Sequence, residues 1–396
     1  MTTLISFLGR GQSGQTAGYR TASYRFSPSF VREVPFFGLA LCEYLKPRRL
    51  ILAGTAGSMW DVFFQQQGAP GEDVRALTSA VQNECVDGAM LTAHEKLLSR
   101  KLGLPVQCLL IPYARDDGEQ ITVLRCLAQA VPRGETIALD VTHGFRHLPM
   151  LALVAARYLV HAASVKIDAI HYGALEMKSP SGEVPVLRLD GLLKILDWVE
   201  ALATYDKDGD YGVFGKLLED DGLAPGMARQ LEKASYFERT SNPAKAHEAL
   251  AGENGAAAAV ENHDGELSAL FKDTLMERIQ WFRRPARDQW ELALADAYRE
   301  RRDYLRASLF LFEACVTHVA IGLGKNIGSL DARKESLRIA RTLTPDIKTL
   351  EYLRNNFAHG VMPDEDEDTP RLLASEGRLA KRLRQIQDSL FSSSQR

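Results

Sequence analysis

Through the first 190 residues, short apolar runs bounded by turn residues alternate with longer stretches whose apolar positions recur every three to four residues. Runs at 4–8, 49–53, 106–111, 136–141 and 165–172 have the length of strands, while 36–45, 120–130 and 148–160 have helical spacing. Strands alternating with helices of this length predict parallel β-α-β units and an open α/β sheet. Residues 184–189, after the turn Ser179-Pro180-Ser181-Gly182, read as a hairpin partner added to the sheet edge. Beyond Gly191 the strand signal stops. Residues 192–203, 214–218, 227–237, 268–281, 290–300, 304–323, 330–342 and 347–359 all carry helical periodicity. The pattern predicts an α/β part over 1–195 and an all-α part over 196–396. About 205–280 reads as a segment inserted in the latter, and 252–265, rich in alanine, glycine and acids, reads as a loop.

Composition narrows the function classes. The 396 residues carry a net charge of −3, so no global basic field advertises nucleic acid, and any such surface must be local. Cys42, Cys85, Cys108, Cys126 and Cys315 are scattered without a Cys-x-x-Cys, which fits reduced thiols in a cytoplasmic protein and argues against a zinc ribbon. No basic region followed by a long apolar stretch opens the chain, so no secretory signal is expected. The most apolar helix, near 305–323, contains Arg306, Glu313 and His318 and is expected to be a buried core helix rather than a membrane span.

Three loops follow predicted strands, where open α/β sheets bind ligands. Gly9-Arg10-Gly11-Gln12-Ser13-Gly14 matches the spelling of a dinucleotide fingerprint, but no helical stripe follows and no acidic ribose ligand arrives at the usual distance. A nicotinamide oxidoreductase therefore rests on that spelling alone. A glycine turn that admits a phosphate, or a plain turn, are the alternatives. In the second loop, Thr55 and Ser58 either cap a helix or donate to a nucleotide. The third, Asp140-Val141-Thr142-His143-Gly144-Phe145-Arg146-His147, gathers groups that an apolar core does not need. Thr142 and His143 are candidates for phosphate or ribose, Gly144 for close approach and Arg146 for phosphate charge. No further His or acidic cluster points here, and no metal is expected.

Near the C-terminus, Arg354-Asn355-Asn356-Phe357-Ala358-His359-Gly360 ends a helical stripe, with Gly360 as its stop. Arginine clamps phosphate and histidine moves protons near neutral pH, a pair sufficient to cleave RNA through its own 2′-hydroxyl. A separation of five positions from Arg354 to His359 subtends about 140° of an ideal helix, so two copies across a dimer axis make a better clamp than one. An ordinary capped helix end is the bland alternative. The arginines and aromatics of 278–306 could bind single-stranded RNA, although core packing and local ion pairing account for them as well.

Taken in this order, the Asp140–Met150 loop and the Arg354–His359 motif resemble the CARF–HEPN ribonucleases that accompany type III CRISPR systems. The resemblance implies an α/β Rossmann-like sensor domain followed by an all-α HEPN domain. It also implies a homodimer, with further assembly left open, and a cyclic oligoadenylate activator, most often cyclic tetra-adenylate. Cleavage of single-stranded RNA without a metal is the activity implied, giving a 2′,3′-cyclic phosphate in antiviral defence. Arg354, Asn355 and His359 would be catalytic. Gly9, Arg10, Gly11, Gln12, Thr55, Ser58, Thr142, His143, Gly144 and Arg146 would hold the ligand. A non-catalytic nucleotide-sensing regulator is the competing reading.

Overall fold

The computed structural model describes residues 2–10, 21–144, 147–360 and 368–391. The chain separates into two compact units, Met1–Lys194 and Ile195–Arg396.

The first unit contains β1 (Thr2–Phe7), β2 (Ala22–Ser27), β3 (Phe30–Val34), α1 (Phe37–Leu45), β4 (Arg49–Gly54), α2 (Trp60–Gln66), α3 (Gly71–Gln82) and α4 (Gly88–Leu102). It continues with β5 (Val106–Leu110), α5 (Asp117–Ala130), β6 (Thr136–Asp140), α6 (Leu148–Ala163), β7 (Lys166–Gly173) and β8 (Glu183–Arg188). The eight strands form one sheet in the order β3-β2-β8-β7-β6-β1-β4-β5. Strands β7, β6, β1, β4 and β5 run parallel, as the alternation of strands and helices implies. Alternate side chains enter two cores. Ile5, Phe7, Ile51, Ala53, Ile137 and Leu139 meet α5 and α6 on one face. Leu4, Leu50, Leu52 and Ala138 meet α1–α4 through Phe37, Trp60, Phe63 and Leu91 on the other.

One expectation needs correction. The strand at 184–189 does not form the edge: β8 pairs antiparallel with β7 but also parallel with β2, and β3 continues the sheet beyond it. Tyr24 accounts for this, because it is fully buried on β2 against Phe37 and draws the β2–β3 hairpin into the sheet. Polar Ser and Arg positions around Tyr24 hide that strand from an apolar-run search.

The second unit is helical: α7 (Gly191–Asp208), α8 (Phe214–Asp220), α9 (Pro225–Arg239), α10 (Pro243–Leu250), α11 (Ala256–Glu261), α12 (Ser268–Ile279) and α13 (Arg287–Glu300). After these come α14 (Tyr304–Gly322), α15 (Leu330–Leu343), α16 (Asp346–His359), α17 (Asp368–Leu373) and α18 (Glu376–Phe391). Helix α14, long and apolar enough to cross a membrane, buries Phe310, Leu311, Phe312, Cys315 and Val316 in the common core. The stretch 252–265 is not simply a loop, since α11 lies within it and buries Ala256, Ala257 and Val260. The arginines of 278–306 are largely paired: Arg278 with Asp206, Arg283 with Glu261, Arg287 with Glu291, Arg299 with Asp296 and Arg306 with Asp303. Trp281 and Tyr298 lie in the core and donate to the buried Glu238 carboxyl at 2.8 and 2.9 Å. That stretch is core and local ion pairing.

Helix α1 lies so close to β1 that a Cβ at Gly38 would land on Ser6 Oγ and 2.9 Å from the Phe36 ring. Gly38→Ala is therefore expected to cost about 1–3 kcal/mol, the usual penalty for overpacking. A urea unfolding curve checks this; an unchanged midpoint contradicts the close approach.

Candidate functional site

The connections of the sheet single out one crevice. From β1 the next parallel strands, β4 and β5, extend to one side, whereas from β6 the chain continues to β7 on the other. Strands β1 and β6 are thus neighbours at a topological switch point, and the loops at their carboxyl ends flank a crevice of the kind that binds ligands in open α/β sheets.

A polar seam holds those ends together. Ser6 and Asp140 are paired in register, and the Ser6 hydroxyl donates to Asp140 Oδ2 at 2.5 Å. The other carboxylate oxygen accepts from the Thr142 backbone N–H at 2.9 Å. Asp140 is wholly buried, and this burial pushes its carboxyl up to about 6 despite the hydrogen bonds from Ser6 and Thr142. The Thr142 hydroxyl accepts from the Gly173 N–H at 2.8 Å, which ties the loop to the end of β7.

Glycines set how closely the loops approach. A Cβ at Gly9 would stand 3.0 Å from the backbone nitrogen of Gly144, and Gly144 has φ +116, a conformation other residues rarely adopt. Gly9 also accepts from the Met59 N–H at 2.9 Å, joining the β1 loop to the β4 loop.

His143 Nε2 accepts from the Phe37 N–H at 3.2 Å and its ring stacks on Phe36. The first N–H of α1 has no partner within the helix, and the N-cap residue Phe36 has no side-chain acceptor, so the imidazole supplies one. Enclosure of this ring pushes its pKa down to about 4, which keeps it neutral and able to accept. His147 Nε2 donates to the Tyr113 carbonyl at 2.9 Å.

The remaining sequence candidates separate into groups. Thr55 and Ser58 are buried and spend their hydroxyls internally: Ser58 Oγ accepts from the Thr55 N–H at 2.9 Å and donates to the Leu8 carbonyl at 3.0 Å. They shape the β4 loop. Arg10 is half-exposed and forms an ion pair of 2.6 Å with Glu84. Gly11, Gln12 and Arg146 lie outside the described residues. Tyr113 and Glu84, which sequence reasoning did not single out, crowd the β4 loop at Gly57, where a Cβ would meet them at 2.6 and 3.3 Å. An isolated Tyr and Glu carry no motif that could have drawn notice.

A second candidate site lies on α16. Gly360, with φ +67, ends the helix and donates to the Asn356 carbonyl at 2.7 Å, so His359 occupies the exposed last turn. Arg354 is half-buried; its guanidinium lies 4.7 Å from the centroid of Phe312 on α14 and donates to Asn355 Oδ1 at 3.1 Å. The arginine is therefore held by a ring and an amide, and among the described residues no acid pairs with it. Among the described residues, no three His, Cys, Asp or Glu side chains gather as a metal-binding group.

Residues 3–176 match the family described as "CRISPR system endoribonuclease Csx1, CARF domain". The CRISPR-associated protein MJ1674 of Methanocaldococcus jannaschii is 27% identical over 261 residues, covering 60% of this chain and 41% of that protein. The match thus spans less than half of that relative's length. A solved structure, Enterococcus italicus Csm6 bound to cyclic hexa-2'-fluoro-hexa-dAMP, is 13% identical and covers 99% of this chain and 95% of its own, with a TM-score of 0.33. Residues 3–176 of this chain are thus similar to a CARF domain, and the chain is similar to a CRISPR-associated protein.

The two buried titrating groups of the crevice act in opposite directions. Raised to about 6, Asp140 contributes stability that is present below its ordinary range and lost as pH rises through 6. Depressed to about 4, His143 contributes stability that is present above its ordinary 6.5 and lost as pH falls through 4. Asp140→Asn should therefore cost more stability at pH 4 than at pH 7.5, and His143→Gln more at pH 7.5 than at pH 4. Urea midpoints of both variants and the parent at the two pH values check this, and equal costs at both values contradict it.

Proposed function

We propose that the chain is an endoribonuclease that cleaves single-stranded RNA and is switched on by a cyclic oligoadenylate in CRISPR defence. The observation that carries the reading is the pairing of Arg354 and His359 on the last turns of α16, in a chain whose first unit matches a CARF domain. Arg354, restrained by Phe312 and Asn355, would stabilise the charge of the pentavalent phosphate. His359, at an exposed helix end, would move the proton between the 2′-hydroxyl, water and the leaving 5′-oxygen. Asn355 would orient the substrate. The RNA supplies the nucleophile, and the products would carry 2′,3′-cyclic phosphate and 5′-hydroxyl ends.

The crevice between the β1 and β6 loops would take the activator. Gly9 and Gly144 let a phosphate approach the backbone, with Arg10 at the rim; the Ser6–Asp140–Thr142 seam and the Thr55–Ser58 turn would fix the walls. Helix α6, which leads out of the β6 loop, supports assembly with a second copy. Met150, Val154 and Tyr158 recur every four residues on it and are 71, 55 and 48% exposed, an apolar stripe that water disfavours. An isologous pair would present identical crevices to a ring with internal two-fold symmetry. Ligand then activates by binding the active arrangement more tightly than the resting one.

The purified protein, incubated with labelled single-stranded RNA in EDTA, should cleave only when cyclic tetra-adenylate is added. His359→Ala should lower the rate about 10²–10⁴-fold. Tight binding of cyclic tetra- or hexa-adenylate without any cleavage would overturn the nuclease and favour a regulatory sensor. In sedimentation experiments Val154→Glu should shift the dimer toward monomer; an unchanged distribution would remove the α6 face from the interface.

A further inference from the structure

The helical hairpin α9–α10 carries a basic trough to which the catalytic reading gives no task. The inner face of α9 is fixed by burial of Ala228, Leu231, Ala234, Ser235 and Glu238. On its outer side Arg229, Lys233 and Phe237 follow one another at four-residue spacing and so form a single stripe. Across from it α10 contributes Lys245 and Glu248, and the open trough between the helices measures about 480 Å³. Gln230 Nε2 donates to the Ala249 carbonyl at 2.9 Å, which holds the two helices together at the trough.

Two features distinguish this surface from an ordinary solvated helix face. Lys233 and Lys245 come from different helices, yet their ammonium groups converge on one ring, 5.7 and 5.3 Å from the Phe237 centroid. In addition, Arg229, Lys233 and Lys245 all line this one trough, and none of the three has an acidic ion-pair partner among the described residues. Three cations gathered on a concave wall with one carboxylate, Glu248, leave an excess of positive charge, and in a chain of net charge −3 this is a local exception. Anionic groups spaced along a ligand offset that excess, and an aromatic ring between them offers a base a face or edge to contact.

We propose that the α9–α10 trough binds a phosphate-bearing nucleotide unit, and that its occupant is a segment of single-stranded RNA held away from the cutting centre. The assignment of the occupant to the RNA substrate rests on the nuclease reading; the phosphate-and-base chemistry rests on the trough alone. Bound here, a strand is retained through its backbone and an unstacked base, with no demand on sequence.

The test uses the full chain and a short fluorescent 2′-O-methyl RNA, which lacks the internal nucleophile and cannot be cut by transesterification. Binding is followed by anisotropy over a series of salt concentrations. Replacing Arg229, Lys233 and Lys245 together by Gln, all on the exposed side of the hairpin, should weaken binding roughly tenfold and flatten the salt dependence by about 2. Phe237→Leu, which keeps an apolar side chain and all three charges, should weaken binding with no change in salt slope. Adenosine 5′-monophosphate forms a second arm: loss confined to it assigns the trough to a free nucleotide, and loss for the strand assigns it to RNA. Equal affinity and slope in parent and triple variant overturn the proposal, as does a parent that binds neither ligand or binds polyglutamate equally well through the same residues. A protein that binds this uncleavable strand through the trough but never cuts unmodified RNA fails the nuclease reading alone, and one that cuts unmodified RNA without using the trough fails this proposal alone.

Discussion

Across the seam between β1 and β6 the Ser6 hydroxyl donates to a wholly buried Asp140 carboxyl, and the crevice is organised around that bond. A carboxyl out of water needs donors, and those available are Ser6 on the neighbouring strand and the backbone of Thr142 two residues on. Satisfying it therefore bends the β6 loop back over its own strand and fastens it to β1. The Thr142 hydroxyl carries the connection to β7, and His143 carries it to the first turn of α1. Gly38 admits α1 beside Ser6, and Gly9 admits the β1 loop beside Gly144. Asp140, Thr142 and His143, which look reactive in the sequence of this loop, are thereby engaged in holding its shape.

The helical unit uses the opposite arrangement. Its candidate groups stand at an exposed helix end, where Arg354 is restrained by a ring and an amide and has no carboxylate partner among the described residues. Pairing is otherwise the rule among its arginines, from Arg278 with Asp206 to Arg341 with Glu351. Among the described residues the rule lapses at Arg284, Arg338, Arg378 and Arg384 as well as at Arg354 and in the α9–α10 trough, and at the last two the positive charge is left available to an anion. In the proposed reading both places meet the same strand, one at the scissile phosphate and one at a distance from it.

The parallel core of the sheet was legible because apolar runs such as 49–53 and 136–141 are buried on both faces and stay apolar throughout. Strands β2 and β3 were not, because only one side of each faces a core and charged residues interrupt them; Tyr24 alone carries much of the burial on β2. Helix α11 was obscured by the glycines around it, although three small or branched apolar residues suffice to bury it. Around the crevice, residue types signalled where the chemistry gathers but not how it is spent. Nothing in the chain order distinguishes a threonine that meets a ligand from Thr55, which is closed within its own turn, or a ligand-binding histidine from His143, which caps α1. Those assignments depend on contacts between residues far apart in sequence.

For the proposed function the two ends of the chain have separate tasks linked by one equilibrium: the crevice selects an arrangement, and α16 performs the chemistry in it. The most direct measurement of that claim is mass spectrometry of the RNA ends produced in EDTA, with and without cyclic tetra-adenylate. New ends bearing 2′,3′-cyclic phosphate and 5′-hydroxyl, formed only with the ligand, are the result the account predicts. Ends bearing 5′-phosphate and 3′-hydroxyl, or the same ends at the same rate without ligand, would contradict it.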